Sequence, residues 1–375
     1  MRPFARLSTS SLFSPVSVAL LSLVVGGPSQ IGAAPLFSIE ALAPLGAGAA
    51  MPTALNNSGA SVGFVTTAQG YQVPVSFGQG SATYLGGYGM ASGINSSGTI
   101  IGTTSSGVTE WSGGQATSLH IPGYGNAIND SGQVAGAYQA TTTETHAFLS
   151  NPNGKLKDLG TLGGNWSSAS AINSQGQIAG VSTLTNNNAH AFVWNGYGLT
   201  DIGTLGGANS YASAINSQGQ VAGTAQTSAG YLNAFSWTAA GMTNLGTLGG
   251  SVSGAYGVND SGQIVGYSLT AQNAATHGFI DENGIMFDLN DLLPLGSQWT
   301  ITAAYAVNNQ GDILGTGSYL GQLYALELHS SAANGSLFSA VSPLATPEPS
   351  ALMLAGIGLI AVAVFARARR TRLAE

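Results

Sequence analysis

The sequence of 375 residues contains no cysteine, and only 6% of its residues are charged. Without cysteine the chain can form neither a disulfide framework nor a thiolate metal site, and it has no cysteine nucleophile. Ordinary globular chains carry about 25% charged residues, so the polar surface here must consist mainly of Ser, Thr, Asn, Gln and exposed backbone. The fold therefore depends on packing and on backbone hydrogen bonds.

Positive charge is almost missing from the body of the chain. All the arginines lie near the two ends, and Lys155 and Lys157 are the only Lys or Arg residues between Arg6 and Arg367. The same stretch contains fourteen of the 15 carboxylates. A surface with two such cations cannot neutralise a row of phosphates, which excludes nucleic acid as a partner.

Long helices are disfavoured by the 55 glycines, because each glycine costs a helix about 1 kcal/mol relative to alanine. Val, Ile and Thr are frequent, and apolar types make up 44% of the chain. This composition is typical of short strands joined by many turns. We therefore expect an all-β fold with a sizeable core.

The first 33 residues have the order of a secretory signal peptide. Arg2 and Arg6 precede an apolar run at 16–25, and small residues follow at 32–34. The alternative is that this stretch forms the first strand or helix of the domain. We expect the secretion machinery to export the chain and signal peptidase to cleave it near Ala33 or Ala34.

A second apolar run, at 350–366, is followed by Arg367, Arg369, Arg370 and Arg372. At about 1.5 Å per residue, this run approaches the roughly 30 Å thickness of a bilayer core. The arginines favour the cytoplasmic side, which leaves the body of the chain outside the membrane. We expect one transmembrane helix, and an ordinary single-pass anchor is the alternative to the sorting role described next.

Pro347, Glu348 and Pro349 stand directly before this helix. The three residues, the helix and the basic tail together resemble the PEP-CTERM sorting signal, at 347–375, after a linker at 331–346. The resemblance implies recognition by an exosortase, a membrane protease or transpeptidase of Gram-negative bacteria. It also implies a transient inner-membrane anchor and delivery to the cell surface or extracellular matrix. The residues expected to carry the signal are Pro347, Glu348, Pro349, Arg367, Arg369 and Arg370.

Residues 34–330 contain seven copies of one decapeptide, such as AINSQGQIAG from Ala171 and AINSQGQVAG from Ala214. The mean spacing of about 42 residues is typical of stacked repeats or of blades around an axis. Each full copy divides into four short strand-like segments, and the Asn-x-x-Gly between the first two is a hairpin signal. The asparagines are Asn56, Asn95, Asn129, Asn173, Asn216, Asn259 and Asn308.

The number of segments indicates a closed ring. The seventh copy supplies three segments, and a fourth stands at the start of the mature chain as LFSIEALAPLGAG. Leu45 precedes Asn56 by as many positions as Leu162 precedes Asn173. We predict a β-propeller of seven four-stranded blades in which the N-terminal strand completes the last blade, since closure removes exposed edges. Six or eight blades and an open solenoid are the alternatives.

The repeats also resemble the HAF family of extracellular bacterial repeats. The triplet His-Ala-Phe stands at 146–148 and 190–192, and degenerate forms stand at 233–235 and 277–279. The resemblance covers roughly 36–328 and implies an exported surface or matrix protein. It implies no settled activity.

The repeated polar residues are interpreted as structural. The triplet histidines His146, His190 and His277 belong to different blades, too far apart to share an ion bound at about 2.1 Å. Asp158, Asp201 and Asp288 likewise share one fourth-strand position. Only two turns add a carboxylate after the asparagine, Asp130 and Asp260, which is too few for a calcium loop. The less repetitive carboxylates include Glu110, Glu144, Asp281, Glu282 and Asp312. No sequence pattern brings these together, so we predict no catalytic residue, metal or cofactor.

Tryptophans give the clearest binding signal. Trp111, Trp194 and Trp237 end third strands in register and are expected to pack within their blades. Trp166 and Trp299 instead lie in connections between blades, where exposed indoles can stack on sugars. They are the candidate ligand contacts, and the alternative is that both are half-buried against their own blades.

The sequence therefore favours a non-enzymatic, exported interaction or structural module that contacts extracellular polysaccharide. The rival hypothesis is a secreted carbohydrate-active hydrolase or lyase built on the same propeller. A glycosidase would need two carboxylates about 5 to 10 Å apart in the central depression.

Overall fold

A computed structural model describes residues 36–44, 50–78, 81–152, 154–331 and 337. Within these ranges the chain forms seven antiparallel sheets of four strands each, so the predicted seven-bladed all-β propeller is confirmed. The predicted signal peptide, Leu45, most of the linker and the C-terminal sorting signal lie outside the described residues. No helix in the described ranges is long and apolar enough to cross a membrane. The transmembrane helix predicted at 350–366 lies outside those ranges.

The strands are numbered β1 to β28 along the chain, beginning with β1 (Phe37–Pro44). Blade 1 contains β2 (Ala50–Leu55), β3 (Ser61–Thr66), β4 (Gln72–Gly78) and β5 (Ser81–Tyr84). Blade 2 contains β6 (Gly89–Ile94), β7 (Ile100–Thr104), β8 (Gly107–Ser112) and β9 (Gln115–Ser118). Blade 3 contains β10 (Gly123–Ile128), β11 (Val134–Gln139), β12 (Thr145–Ser150) and β13 (Leu156–Gly160). Blade 4 contains β14 (Ser167–Ile172), β15 (Ile178–Thr183), β16 (Ala189–Trp194) and β17 (Leu199–Asp201).

Blade 5 contains β18 (Gly206–Ile215), β19 (Val221–Thr227), β20 (Leu232–Thr238) and β21 (Gly241–Gly246). Blade 6 contains β22 (Gly249–Val258), β23 (Ile264–Thr270), β24 (Thr276–Glu282) and β25 (Ile285–Asp288). Blade 7 contains β26 (Trp299–Val307), β27 (Ile313–Tyr319) and β28 (Gln322–Ser330), with β1 as its fourth strand. Two short 3-10 helices lie at Ala271–Asn273 and Leu289–Leu292.

The first strand of each blade lies innermost. The first strands contact one another in sequence around the axis, and β26 of blade 7 contacts β2 of blade 1. Blade 7 is closed by β1, which pairs antiparallel with β28 from Phe37 opposite Ser330 to Pro44 opposite Tyr324. The prediction that the N-terminal strand completes the last blade is therefore confirmed.

The aromatic residue of each triplet fills the space between blades. Phe148, Phe192, Phe235 and Phe279 are fully buried. Each lies opposite a second-strand glycine of its own blade, such as Gly223 opposite Phe235. A Cβ atom at Gly223 would collide with the Tyr211 carbonyl oxygen and lie 2.8 Å from the Phe235 ring. The repeat therefore carries glycine here because backbone and ring approach too closely for any side chain.

The substitution Gly223→Ala is expected to lower the free energy of unfolding by about 2 to 4 kcal/mol, because overpacking forces the Phe235 ring or its strand to move. Urea unfolding followed by circular dichroism measures this. Gly198→Ala is the control, because nothing lies within 4 Å of its Cβ position. An equally small effect for both variants would show that the contact at Gly223 is not tight.

Candidate functional site

A closed ring of hydrogen bonds surrounds the axis at the end of the first strands. It is formed by one buried asparagine from each blade and is called the asparagine ring. Each Nδ2 donates to the main-chain oxygen of the next asparagine at 2.9 to 3.4 Å, and Asn308 returns to Asn56. The members of the ring are Asn56, Asn95, Asn129, Asn173, Asn216, Asn259 and Asn308.

The same side chains also hold the hairpin turns. Asn173 Oδ1 accepts from the backbone N–H groups of Gln175 at 3.1 Å and Gln177 at 2.9 Å. Its Nδ2 reaches Asn216 O at 2.9 Å and Gln177 Oε1 at 2.8 Å. Because one amide serves the local turn and the neighbouring blade at once, the decapeptide is a structural element of the propeller.

The mouth of the central channel is a cavity of ≈ 280 Å³ beside the asparagine ring, lined by three consecutive residues from every blade. Two carboxylates stand there, on blades 3 and 6. Asp130 accepts from Ser96 N at 2.8 Å and Ser96 Oγ at 3.0 Å. Asp260 accepts from Ser217 N and Asn309 Nδ2, both at 2.8 Å. Both carboxylates thus join turns of neighbouring blades.

The environment of Asp260 keeps it ionised. Burial acts to raise its pKa, but hydrogen bonds from Ser217 and Asn309 outweigh burial and lower it. A carboxylate with a lowered pKa is a poor general acid at neutral pH. The mouth is therefore lined by amide and hydroxyl groups, and the Asp260 carboxylate there already accepts hydrogen bonds from Ser217 and Asn309.

The triplet histidines pair with the fourth-strand aspartates of their own blades. The shortest Nδ1 to carboxylate oxygen distances are 2.9 Å for His146 and Asp158, 2.8 Å for His190 and Asp201, and 2.6 Å for His277 and Asp288. In blade 5 an amide pair takes this place, with Asn233 Nδ2 donating to Asn244 Oδ1 at 3.2 Å. The structure places each of these residues in a repeated cross-strand contact.

The end of the propeller opposite the asparagine ring is called the loop face. It carries the turns between second and third strands and the connections between blades, because these lie at the far ends of the strands. Aromatic side chains are exposed on it at Tyr71, Tyr88, Tyr124, Trp166 and Tyr231, with exposed fractions from 37% to 60%. The rings of Tyr71 and Tyr88 lie 5.1 Å apart.

A cavity of ≈ 540 Å³ opens on this face between blades 2 and 3 and is called the blade 2/3 groove. It is lined by residues 103–107, 122–124, 137–139 and 145. Tyr124 is 60% exposed there. The backbone of Thr145, at the edge of the groove, forms an isolated β-bridge with the backbone of Trp166. Trp166 is 37% exposed. The groove lining therefore combines the aromatic side chains of Tyr124 and Tyr138 with hydroxyl and amide groups, and Trp166 lies next to the lining residue Thr145.

Tyr138 connects the groove to the His146–Asp158 pair. Burial raises the pKa of the Tyr138 hydroxyl, and the Asp158 carboxylate, to which it is hydrogen-bonded, acts in the same direction. Burial also acts to raise the pKa of Asp158, but hydrogen bonds from His146 and the Gly160 N–H lower it overall. The tyrosine therefore remains a neutral hydroxyl at the floor of the groove.

Trp299, the second candidate ligand contact, lies in an aromatic cluster within blade 7. Its ring centroid is 5.1 Å from that of Tyr319 and 5.3 Å from that of Tyr324, and the indole packs on the blade core. Trp166 and Trp299 are not brought together by a common cavity among those described. Trp166 is the more accessible of the two.

Four ionisable residues meet in blade 7, and this group is called the blade 7 cluster: Glu40, Asp312, Glu327 and His329. His329 Nε2 lies 3.2 Å from Glu40 Oε2, and its Nδ1 lies 3.7 Å from Asp312 Oδ1 and 3.9 Å from Glu327 Oε1. Burial raises the pKa of Glu327 to about 7, as do the charges of Asp312 and Glu40, while His329 opposes the shift. Sequence reasoning missed this cluster.

Several solved structures are similar to this chain at low identity. TolB from Acinetobacter baumannii is 15% identical with a TM-score of 0.39, and the match covers 63% of this chain and 60% of TolB. XC5397, a gluconolactonase from Xanthomonas campestris, is 13% identical with a TM-score of 0.39, over 70% of this chain and 90% of that one. A puromycin-hydrolyzing peptidase of Mycobacterium tuberculosis is 10% identical with a TM-score of 0.49, and the match covers 85% of this chain and 56% of the peptidase. A comparison with curated proteins gives no match.

One sequence family does match the chain, and it covers the C-terminal region. Residues 345–370 fit the model of the PEP-CTERM protein-sorting motif, which confirms the sorting signal predicted around Pro347, Glu348 and Pro349. The motif implies exosortase-mediated sorting. The chain is thus a β-propeller that carries the PEP-CTERM signal of an exported protein.

Proposed function

We propose that this chain is a non-enzymatic module of the cell surface or extracellular matrix whose loop face contacts polysaccharide. The blade 2/3 groove is the observation that carries the proposal. Its ≈ 540 Å³ can hold several sugar units. Tyr124 offers an exposed ring to the apolar face of a sugar, and Trp166 stands beside Thr145 at the edge of the groove.

The ligand of this groove is a neutral polysaccharide. The residues that line it include no Asp, Glu, Lys, Arg or His. Hydroxyl and amide side chains such as Thr145 and Gln139 match the hydroxyl groups of sugars, whereas a charged polymer would find no counter-ion in the lining. The low charge of the whole chain, 6%, agrees with this.

Delivery to the cell surface follows from the two ends of the chain. On this proposal the predicted signal peptide at 1–33 directs export, and the predicted transmembrane segment at 350–366 anchors the chain in the inner membrane until an exosortase removes it. The resemblance of the repeats to the HAF family supports the same destination. Together these features favour a mature propeller released to the surface or matrix.

The rival activity, cleavage of a polysaccharide by a hydrolase or a lyase, has less support. Asp130 and Asp260 are hydrogen-bonded to adjacent turns, and the His–Asp pairs recur in three blades as structural contacts. Incubation with a bound polysaccharide should therefore release no reducing ends and create no unsaturated sugars. Sustained product formation would establish the enzyme instead.

Variants of the loop face test the proposal. On an array of neutral glycans, Tyr124→Ala and Trp166→Ala are each expected to weaken binding by about tenfold, because a stacking contact contributes about 1 to 1.5 kcal/mol. Tyr197→Ala is the matched control, since Tyr197 is 96% exposed but lies in a third-to-fourth-strand turn at the opposite end. Equal binding by all the variants would place the site elsewhere, and no retention of the unaltered protein would refute the proposal.

A further inference from the structure

Blade 7 carries ionisable side chains at three positions where blades 3, 4 and 5 carry neutral ones, whereas blades 2 and 6 have a carboxylate at one of these positions each, Glu110 and Glu282. Leu326 lies opposite Gly315 as Phe148 lies opposite Gly136, so Glu327 occupies the position of Leu149. The same position is held by buried Val193 in blade 4 and buried Ile280 in blade 6. Asp312 occupies the position of Gln133, Gln177, Gln220 and Gln263, and His329 that of Asn151 and Asn195.

The corresponding contact in blade 3 is an ordinary neutral hydrogen bond. Gln133 Nε2 donates to Asn151 Oδ1 at 3.0 Å. In blade 7 the pair becomes Asp312 and His329, and a third ionisable group, Glu327, is added beside them. The departure from the repeat is therefore concerted, because three altered positions meet at one point.

The three side chains converge, and Glu327 has an oxygen without a partner, whereas Asp312 accepts from Asn308 Nδ2 at 3.1 Å and from Ser330 N at 3.2 Å. One ligand atom from each of Asp312, Glu327 and His329 lies within 4.8 Å of the others. Glu327 is only 3% exposed, and its Oε1 has no hydrogen-bond partner although it lies 3.9 Å from His329 Nδ1. A buried carboxylate oxygen without a partner is costly unless a cation or a donor reaches it.

Glu40 of β1 orients the imidazole from the other side. Its Oε2 lies 3.2 Å from His329 Nε2. A proton held on Nε2 by this carboxylate leaves the Nδ1 lone pair directed towards Asp312 and Glu327. Carboxylate–histidine pairs of this kind set the tautomer of histidine ligands in metal sites.

We propose that Asp312, Glu327 and His329 bind one divalent first-row transition-metal ion, of the Zn²⁺ type, with Glu40 as the outer partner of the histidine. One imidazole nitrogen and two carboxylate oxygens are ligands that Zn²⁺ accepts, and water completes the coordination on the exposed side of the cluster. A nitrogen ligand disfavours Ca²⁺ and Mg²⁺, which take oxygen ligands.

The site has a structural consequence. Glu327 and His329 lie on β28, Asp312 precedes β27, and Glu40 lies on β1. The metal ion would thus join the start of β27 to β28 and, through His329, to β1, the strand that closes the ring. We expect it to stabilise the closure of the propeller.

Titration of Zn²⁺ alone into the full-length protein, purified without a polyhistidine tag and stripped with a chelator, tests the proposal. Calorimetry is expected to give one Zn²⁺ per chain, and the melting temperature should rise with Zn²⁺. Glu327→Gln and His329→Asn should each weaken this binding at least tenfold. Both variants should fold, because His329→Asn reproduces the residue of blades 3 and 4 and Glu327→Gln removes a buried charge.

Two comparisons make the outcome decisive. His190→Asn, which reproduces the residue at the same position in blade 5, should bind Zn²⁺ like the unaltered protein. Absence of Zn²⁺ binding to the unaltered protein at 100-fold molar excess would overturn the proposal. Equal binding by Glu327→Gln, or loss of binding in His190→Asn but not in His329→Asn, would assign the ion to the His–Asp pairs instead. Stronger binding of Ca²⁺ than of Zn²⁺ would exclude the histidine as a ligand.

Discussion

The variant Asn173→Asp is expected to lose at least about 3 kcal/mol of folding free energy at neutral pH. The change keeps the oxygen that holds the turn at Gln175 and Gln177. It replaces the Nδ2 donor by an oxygen that faces Asn216 O and Gln177 Oε1, which lie 2.9 Å and 2.8 Å from Nδ2. A buried charge would then meet two acceptors, and the asparagine ring would be broken at blade 4.

Asn186→Asp provides the matched control for this experiment. Asn186 is exposed, and its Oδ1 accepts from Asn188 N at 3.0 Å, a contact that aspartate can keep. Thermal and urea unfolding of both variants measure the difference. If Asn173→Asp unfolds within about 0.5 kcal/mol of the unaltered protein, which is the usual range for surface substitutions, the ring contributes little.

Removal of β1 is expected to abolish the soluble propeller. Phe37 and Leu42 are 1% and 2% exposed, and burial of each contributes about 2 to 3 kcal/mol. Without β1 the backbone N–H and C=O groups of β28 form an open edge, which promotes aggregation. The expected result is an insoluble protein or one that has lost its cooperative melting transition.

A circular permutant separates the role of β1 from its place in the sequence. Phe37 lies opposite Ser330, so a short turn can join the end of β28 to the start of β1 when the chain is begun at Ala50. The permutant should melt within a few degrees of the parent. A deletion variant as stable as the parent, or a permutant that fails to fold, would contradict closure by β1. Expression in the reducing cytoplasm is suitable, because the chain has no cysteine.

The blade architecture could be predicted because the spacing and the number of the repeats give the number of blades. Seven asparagines, one in each repeat, predict seven hairpins. The seventh copy has only three strand-like segments, so its fourth strand must come from the N-terminal segment. The decapeptide also indicated its turn, since Asn and Gly are the residues that such a turn favours. These inferences depend on local chemistry and on counting, both of which a single sequence contains.

The asparagine ring could not be predicted in this way, because each Nδ2 bonds to a residue one blade further on. Asn56 reaches Asn95 and Asn308 reaches Asn56, across 39 and 252 positions of the sequence. One signal was present. Asp or Ser can also accept the turn hydrogen bonds, so the use of asparagine in every copy indicated a need for a donor as well.

The blade 7 cluster and the blade 2/3 groove depend on the way separate segments meet. Glu40 and His329 are 289 positions apart and become neighbours only because β1 closes the ring. The available signal was Glu327, a carboxylate where blades 3, 4 and 6 bury Leu149, Val193 and Ile280. The groove needs Tyr124, Tyr138 and Thr145 from three strands or turns, and no pattern in the sequence places them together.

The asparagine ring and the loop face divide the molecule into a structural end and a variable one. The repeated residues are occupied by contacts between blades, whereas the exposed aromatic residues Tyr124 and Trp166 stand where the copies differ. A propeller of this kind can change its ligand by changing loop residues without disturbing its hydrogen-bonded axis. The candidate contacts on the loop face are therefore expected to determine which polymer is bound.

Affinity electrophoresis of the mature propeller through gels that contain a neutral or an acidic polysaccharide tests the proposed function most directly. The groove lining has no charged side chain, so we expect retardation by a neutral polysaccharide that is unchanged between low and high salt. Retardation only by acidic polymers, lost as salt is raised, would contradict the account. Migration unaffected by any polysaccharide would contradict it as well.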